Sequence, residues 1–486
     1  MYPPQIVTPM VSSTQKNGIT RSVAFHTLGC KLNFAETSTL KRHFRGDAFE
    51  IKPFDTVSDI YVINTCSVTQ DANRDCRKVV RRAQRRNPNA FIVVTGCYAQ
   101  LEPDEIAAID GVDLVVGARD KFDIMDLAGN FEKPDKTIIH RTDVNEAVDF
   151  HHAFSSNDRT RAFLKVQDGC DYKCSFCTIP LARGKSRSPS VEMVTDQAKQ
   201  VIADGYREIV LTGVNVGDFG RQSGETFLDL LKALDPLPGL DRIRISSIEP
   251  NLLTEDIIRF TAGSRTIQPH FHIPLQSGSN DILQLMKRRY RTDLYRSRVE
   301  SILSHIPDAC IGVDVITGHP GESDARFQET LAFLKSLDIG YLHVFTYSER
   351  PNTHARDMED PVPKEVRKAR THKLRRLSDQ KRFDFDTRFV GSERPVLIEQ
   401  EASDGRLLGW TDNYIRVSVP QDPALINRIT TCQLNERHPG EPVTGTVTNN
   451  QLPDVSANSS SIVDHHHPRE KHHARKRSPE PAEINS

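Results

Sequence analysis

Four short, nearly unbroken apolar runs follow a loose N-terminal stretch: Ser22–Thr27 (SVAFHT), Asp59–Asn64 (DIYVIN), Ala90–Thr95 (AFIVVT) and Asp113–Val116 (DLVV). Strands that are apolar on both faces belong to parallel sheets covered on both sides. These runs and the helical segments between them therefore predict an α/β unit around a buried parallel sheet. From about Arg161 to Asp386 six further runs (AFLKVQ, EIVLTGVN, RIRISSIEP, HFHIPLQSG, CIGVDVITGHPG and YLHVFTYSERP) alternate with amphipathic segments such as VEMVTDQAKQVIADG. Six β-then-α repeats predict a parallel (β/α) barrel or part of one, fewer units than the eight of a closed TIM barrel. After Arg388 the period changes to two. PVLIEQE, a turn at Asp404-Gly405, RLLGWT and YIRVSVP predict a small antiparallel β-barrel or sandwich.

These patterns divide the chain into a flexible N-terminus (1–20), an α/β unit (21–133), a linker rich in charge and turn formers (134–155), a barrel core (156–387), a small β-domain (388–450) and a tail (451–486). The tail is rich in Ser, Asn, Pro and His, and its histidines, His465–His467, His472 and His473, read as part of a solvated, disordered segment.

With 486 residues, 37% hydrophobic and 27% charged, the chain has room for enclosed sites, and 64 Lys+Arg against 65 Asp+Glu leave any basic surface to be local. No run approaches the roughly 18 apolar residues of a membrane helix, and MYPPQIVTPMVSSTQKNG lacks the order of a secretory signal, so the expectation is a cytoplasmic protein without membrane contact. Nine cysteines in such a chain favour metal or catalytic use over a disulfide framework.

Six of the nine are placed to act together. Cys30 (TLGCKLN), Cys66 (NTCSVT) and Cys97 (TGCYAQ) each follow a predicted strand, and the carboxyl ends of parallel strands share one edge of a sheet, where ligands bind. One buried Cys is ordinarily a small apolar residue, whereas three at equivalent strand ends point to a shared ligand. The other three that matter are Cys170, Cys174 and Cys177, spaced C-x3-C-x2-C in FLKVQDGCDYKCSFCTIPLARGKSRS after the first barrel strand. A structural zinc site wants four ligands, and no His lies between Cys170 and Arg183. An iron-sulfur cubane accepts three thiolates and leaves one iron open. Cys76, Cys310 and Cys432 have no close Cys partner and read as structural.

A three-cysteine loop opening a partial barrel resembles the radical S-adenosylmethionine (SAM) superfamily. Together with the cysteine-bearing α/β unit and the C-terminal β-domain, the chain from Arg21 to Asn449 resembles the methylthiotransferases, including TLGCKLN, NTC, TGC, TGVN and RPNT. The resemblance implies a [4Fe-4S] cluster on Cys170, Cys174 and Cys177 with SAM on its open iron, and a second [4Fe-4S] cluster on Cys30, Cys66 and Cys97. It implies an RNA-binding TRAM module at the C-terminus, and a SAM pocket lined by Gly213, Asn215, Glu249, Gly318 and Gly321. It also implies that one SAM methylates a sulfur at the second cluster while another supplies a 5'-deoxyadenosyl radical. His319 in TGHPGES stands where relatives usually carry an aromatic residue.

Within this family TLGCKLN, rather than a YGCQMN-like opening, and CTIPLARGKSRS resemble the branch acting on N6-threonylcarbamoyladenosine 37 in the anticodon loop of tRNA. Its partners would be tRNA, a reductant such as flavodoxin or ferredoxin, and a sulfur donor. Isopentenyladenosine 37 or a ribosomal protein aspartate is the alternative substrate, and a non-catalytic metal-bound RNA-binding protein the alternative class. Two basic stretches favour RNA. Arg74, Arg77, Lys78, Arg81, Arg82, Arg85 and Arg86 fall on one predicted helix face, and Lys364–Arg394 holds eleven Lys/Arg against five Asp/Glu. Tyr414 is a candidate for stacking on bases, while Trp410 reads first as core.

Overall fold

In the computed structural model, which describes residues 20–449 apart from 45, 47, 68–69, 145–148, 156–159 and 403, the first unit is a wholly parallel six-stranded sheet. The expected loose N-terminus and disordered tail fall on 1–19 and 450–486, outside the described residues. The strands are β1 (Arg21–Thr27), β2 (Phe49–Lys52), β3 (Ile60–Thr65), β4 (Phe91–Gly96), β5 (Leu114–Val116) and β6 (Ile138–His140), in the order β2-β1-β3-β4-β5-β6. The four predicted runs are β1, β3, β4 and β5. They are apolar on both sides because helices cover both faces: Cys76, Val79 and Val80 pack on one, Leu40, Phe44 and Phe131 on the other. β2 and β6 left no periodic signal because they are short, half-exposed edge strands; β6 lies in the stretch read as linker. The chain leaves β1 for one edge and returns to β3 on the other side, which opens a crevice between the carboxyl ends of β1 and β3.

The six barrel strands form where the repeats predict them: β7 (Arg161–Lys165), β8 (Glu208–Thr212), β9 (Arg242–Ile245), β10 (His270–His272), β11 (Cys310–Thr317) and β12 (Tyr341–Thr346). Two parallel sheets, β7-β8-β9 and β10-β11-β12, are joined through the parallel bridges Ile243–Ile267 and Ser247–His272. Ala162, Leu164, Ile209, Leu211, Ile243, Ile245, Val313 and Val315 join the core beneath the surrounding helices. Strand alternation turns their neighbours Phe163, Val210, Arg244, His272, Asp314 and His343 into the barrel. The open side of this partial barrel is filled by the Lys31–His43 helix of the first unit, whose Phe34 and Ala35 pack on Phe163 and Val210.

The C-terminal unit is a closed barrel in the order β13-β14-β15-β17-β16, made of β13 (Glu393–Glu401), β14 (Leu407–Thr411), β15 (Arg416–Val419), β16 (Ile429–Leu434) and β17 (Val443–Asn449). It is antiparallel except for the β15–β17 pair, which is parallel. It caps the amino end of the large barrel. Arg242 donates to the Pro395 and Trp410 carbonyls at 2.7 and 3.1 Å, and Arg244 to that of Asp412 at 3.1 Å. Tyr414 stacks on His270 at 4.0 Å and carries Trp410 on its other side at 4.4 Å. Both faces of the Tyr414 ring are thus taken by the domain interface, which removes it as a base-stacking platform.

Cys76, Cys310 and Cys432 are buried in apolar clusters, as a structural role requires. No helix among the described residues is long and apolar enough to cross a membrane.

Candidate active site

The three-cysteine loop begins at Gly169, where φ is +71° and an added Cβ would lie 2.0 Å from the Lys185 carbonyl oxygen, so only glycine lets the chain turn there. Beyond it Cys170, Cys174 and Cys177 line one cavity of about 280 Å3, together with Asn215, Glu249, Gln276, Asp314 and Tyr347. The amides of Tyr172 and Ile179 donate to the sulfurs of Cys170 and Cys177, each at 3.4 Å. Arg288 donates to Cys174 Sγ at 3.0 Å and pairs with Glu249. Burial pushes the Cys170 and Cys177 thiols up to about 12 and raises Cys174 too, against the pull of Arg288. Such thiols ionise when a metal supplies the compensating charge. The cavity lining holds no fourth cysteine and no histidine, so the donor set fits a cluster with one open iron better than a closed zinc site.

His319 braces this loop from behind. Its Nδ1 lies 2.8 Å from the Pro320 carbonyl, which leaves Nε2 to accept from the Ser175 hydroxyl at 3.0 Å, between Cys174 and Cys177. Burial brings the imidazole down to about 4, so it stays neutral near pH 7.

Of the residues read as SAM-lining, Asn215 and Glu249 face the cavity. Gly213, Gly318 and Gly321 make room for protein instead: a Cβ on each would meet Gln167, Arg367 and Leu285 at 2.9, 2.2 and 2.8 Å. Gln276, Asp314 and Arg288 carried no motif signal, although an acidic residue inside the apolar run VDVIT was a visible anomaly.

Cys30, Cys66 and Cys97 follow β1, β3 and β4, three neighbouring strands of the first sheet. Gly29, at φ +104°, lies so near Cys66 that an added Cβ would sit 3.0 Å from its sulfur. Cys30 and Cys66 open into a cleft of about 1090 Å3 whose lining shares Phe345, Thr346, Tyr347 and Ser348 with the first cavity. Cys170, Cys174 and Cys177 on one side and Cys30 and Cys66 on the other therefore flank one short strip of chain at the end of β12, while Cys97 is buried and does not line the cleft.

A buried ionic network spans the boundary between them. Glu36 pairs with Lys121, Lys165 and Arg183 at 2.6, 3.1 and 2.9 Å, and Asp168 with Lys165, Arg183 and Arg187 at 2.7, 2.9 and 3.1 Å. Four cations face two carboxylates, a surplus of two positive charges near Cys30 and Cys97. Arg183 acts electrostatically on both Cys30 and Cys97. Arg350, in SERPNT, donates to Ser67 Oγ at 2.5 Å beside Cys66. LARGKSRS, read from the sequence as a clue to substrate, thus supplies through Arg183 a tie between the two units, with Arg187 holding Asp168 on the barrel side.

The two basic stretches meet at the same cleft. Arg74, Arg77, Arg350, Lys364, Arg367, Lys368 and Arg375 line it against Asp71, Asp75, Glu102, Glu105 and Glu349, seven cations to five carboxylates. The helix Gln70–Arg86 is less bare than its sequence suggests. Arg74, Arg77, Lys78, Arg82 and Arg86 reach Asp71, Glu105, Asp75 and Asp55, and only Arg81 and Arg85 of the seven have no carboxylate partner among the described residues.

Residues 164–334 match the radical SAM superfamily, 22–117 a group described as uncharacterized protein family UPF0004, and 387–446 the TRAM domain. The threonylcarbamoyladenosine tRNA methylthiotransferase MtaB of Bacillus subtilis (strain 168) is 40% identical over 419 residues, 84% of this chain and 92% of that protein. The chain belongs to the radical-SAM methylthiotransferase family. The protein of the same name from Aquifex aeolicus (strain VF5) is 39% identical over 81% of this chain and 96% of its own length. The tRNA-2-methylthio-N(6)-dimethylallyladenosine synthase of Acetivibrio thermocellus is 28% identical over 86% of this chain and 90% of that protein. A solved structure of the radical S-adenosylmethionine methyltransferase TsrM from Kitasatospora setae, with cobalamin and a [4Fe-4S] cluster bound, aligns over 70% of this chain and 77% of that one with a TM-score of 0.50 and 13% identity, a likeness of fold alone.

Proposed function

We propose that this methylthiotransferase converts N6-threonylcarbamoyladenosine 37 of tRNA to its 2-methylthio derivative. The observation that carries the reading is that Cys170, Cys174 and Cys177 on one side and Cys30 and Cys66 on the other flank Phe345–Ser348, in a chain whose near relatives at 34–40% identity bear that substrate in their names. Cys170, Cys174 and Cys177 would hold one [4Fe-4S] cluster and Cys30, Cys66 and Cys97 a second; when bound, the clusters and SAM supply the radical and the sulfur-bound methyl group.

The chain's own residues position and insulate this chemistry. Arg288 balances Cys174 and fixes Glu249, while Asn215 and Glu249 offer polar contacts to SAM across the cavity. Tyr172, Phe176, Ile316 and Tyr347 make the rest of that wall largely apolar, which keeps water from a reactive intermediate. Arg183 and Arg350 hold the Cys30 and Cys66 loops against the barrel. Lys364, Lys368 and Arg375 at the cleft are suited to phosphates flanking the target nucleotide. A cytoplasmic location, a reductant of the flavodoxin or ferredoxin type and a sulfur donor complete the reading.

Mass spectrometry of tRNA nucleosides from a deletion strain tests it. The 2-methylthio-threonylcarbamoyl nucleoside should vanish and its unthiolated precursor accumulate; loss of only the methylthio-isopentenyl nucleoside would overturn the assignment.

A further inference from the structure

TLGCKLN places Lys31 at the start of the Lys31–His43 helix, directly after Cys30. Because that helix fills the open side of the barrel, the part-buried Lys31 side chain is turned toward the lumen. Its electrostatic neighbours are Tyr414, Arg161, Arg244 and Asp314, and His270 and His343 feel its charge in turn. Among the described residues its ammonium has no hydrogen-bond or ion-pair partner. Its three N–H donors are therefore open to an acceptor that enters the lumen.

The surrounding groups do not supply one. Asp314 Oδ1 is already taken by His272 Nε2 at 2.7 Å and His343 Nδ1 at 3.1 Å. Arg244 is paired with Glu208 at 2.9 Å and Arg161 with Glu399 at 2.6 Å. Two buried polar atoms nearby have no partner: Nδ1 of His270, which is 4% exposed, and Oγ of Ser246, which is 6% exposed. His272, Asp314 and His343 are metal-ligand types within 4.8 Å of one another, but a divalent cation there would stand beside the Lys31 charge. The place suits an anion with hydrogen-bonding capacity. It adjoins the SAM cavity, which Asp314 also lines.

We propose that Lys31 is a specificity-determining residue that binds the carboxylate of the threonylcarbamoyl group, with the polar lumen as the pocket for that substituent. The proposal rests on the functional reading above, since an isopentenyl group has no anion to offer. Adjacent to Cys30 in the chain, Lys31 would anchor the base beside the cysteine set that is to hold the auxiliary cluster. The requirement also accounts for lysine in TLGCKLN, where YGCQMN-like openings have a neutral glutamine.

The test uses full-length, cluster-loaded protein and two anticodon stem-loop RNAs, one carrying threonylcarbamoyladenosine at the target position and one with that carboxyl group as its methyl ester. Wild-type protein should favour the acid by about 100-fold in kcat/KM, the size of one lost charge-assisted contact. Lys31→Gln should bring the ratio to about 1 at wild-type iron content, with Lys31→Arg recovering part of it. Wild-type protein that treats acid and ester alike, or Lys31→Gln that retains the preference, overturns the proposal; the first of these outcomes does not depend on a variant folding. Wild-type protein active only on isopentenyladenosine RNA overturns the functional reading itself, which is a different result.

Discussion

Arg183 and Glu36 meet at 2.9 Å across the boundary between the first unit and the barrel, fully enclosed and 147 residues apart in the chain. Burial opposes ionisation of Glu36, yet Arg183, Lys121 and Lys165 outweigh it and hold the carboxyl below its usual range. Removing one partner of such a network leaves the others buried without compensation.

Glu36→Gln should therefore destabilise the chain by about 3–5 kcal/mol, the cost of breaking a buried ion pair. Urea denaturation of the variant against wild type measures it; a change under about 1 kcal/mol would place the pair with weak surface bridges. Acid sensitivity follows from the same groups. For Asp168 too, burial is outweighed by Lys165, Arg183 and Arg187, so both carboxyls titrate lower folded than unfolded. Their contribution is complete above about pH 4, the unfolded value, and is lost as pH falls through the folded values. Wild-type stability should drop steeply below that pH, and the drop should be shallower in Glu36→Gln.

Anaerobic reconstitution should load about eight irons per chain, four for each cysteine set. Cys174→Ala is expected to lose roughly half of them together with SAM cleavage, and Cys97→Ala the other half. Iron analysis with electron paramagnetic resonance reads both, and full retention in either variant would remove that cysteine from the ligand set.

Gly169→Ala puts a methyl group 2.0 Å from the Lys185 carbonyl oxygen at a positive φ, so the turn into the cysteine loop must open. Iron on the radical-SAM side should fall several-fold while the iron held through Cys30, Cys66 and Cys97 stays. Wild-type occupancy of both sets would mean that the loop tolerates a shift of that size.

Lys364 and Arg375 line the cleft without an ion-pair partner among the described residues. If each contacts a phosphate, alanine at both should lower the slope of log affinity against log salt by about 1.4, or about 0.7 per contact on single-stranded RNA. Fluorescence anisotropy with an anticodon stem-loop at several salt concentrations gives the slope; an unchanged slope moves the RNA path elsewhere.

The cysteine spacing, the strand-end positions of Cys30, Cys66 and Cys97, and the six barrel repeats were all legible in the order of residues, because each is a local pattern. A loop ligand set depends on neighbours in the chain, and a buried parallel strand must be apolar wherever it lies. β2 and β6 were not legible because edge strands bury too little to impose a period. Trp410 and Tyr414 were recognisable as aromatic, but their stacking against His270 depends on how the C-terminal barrel docks.

By itself, then, the sequence determined the parallel-sheet and barrel units, the two sets of three cysteines and the family resemblance. Only the tertiary structure decided that Arg183 serves the domain boundary, that both basic stretches border one cleft, and that Lys31 hangs unpartnered in the lumen. Those relations join residues far apart in the chain, and burial, not sequence proximity, sets which charges must answer one another.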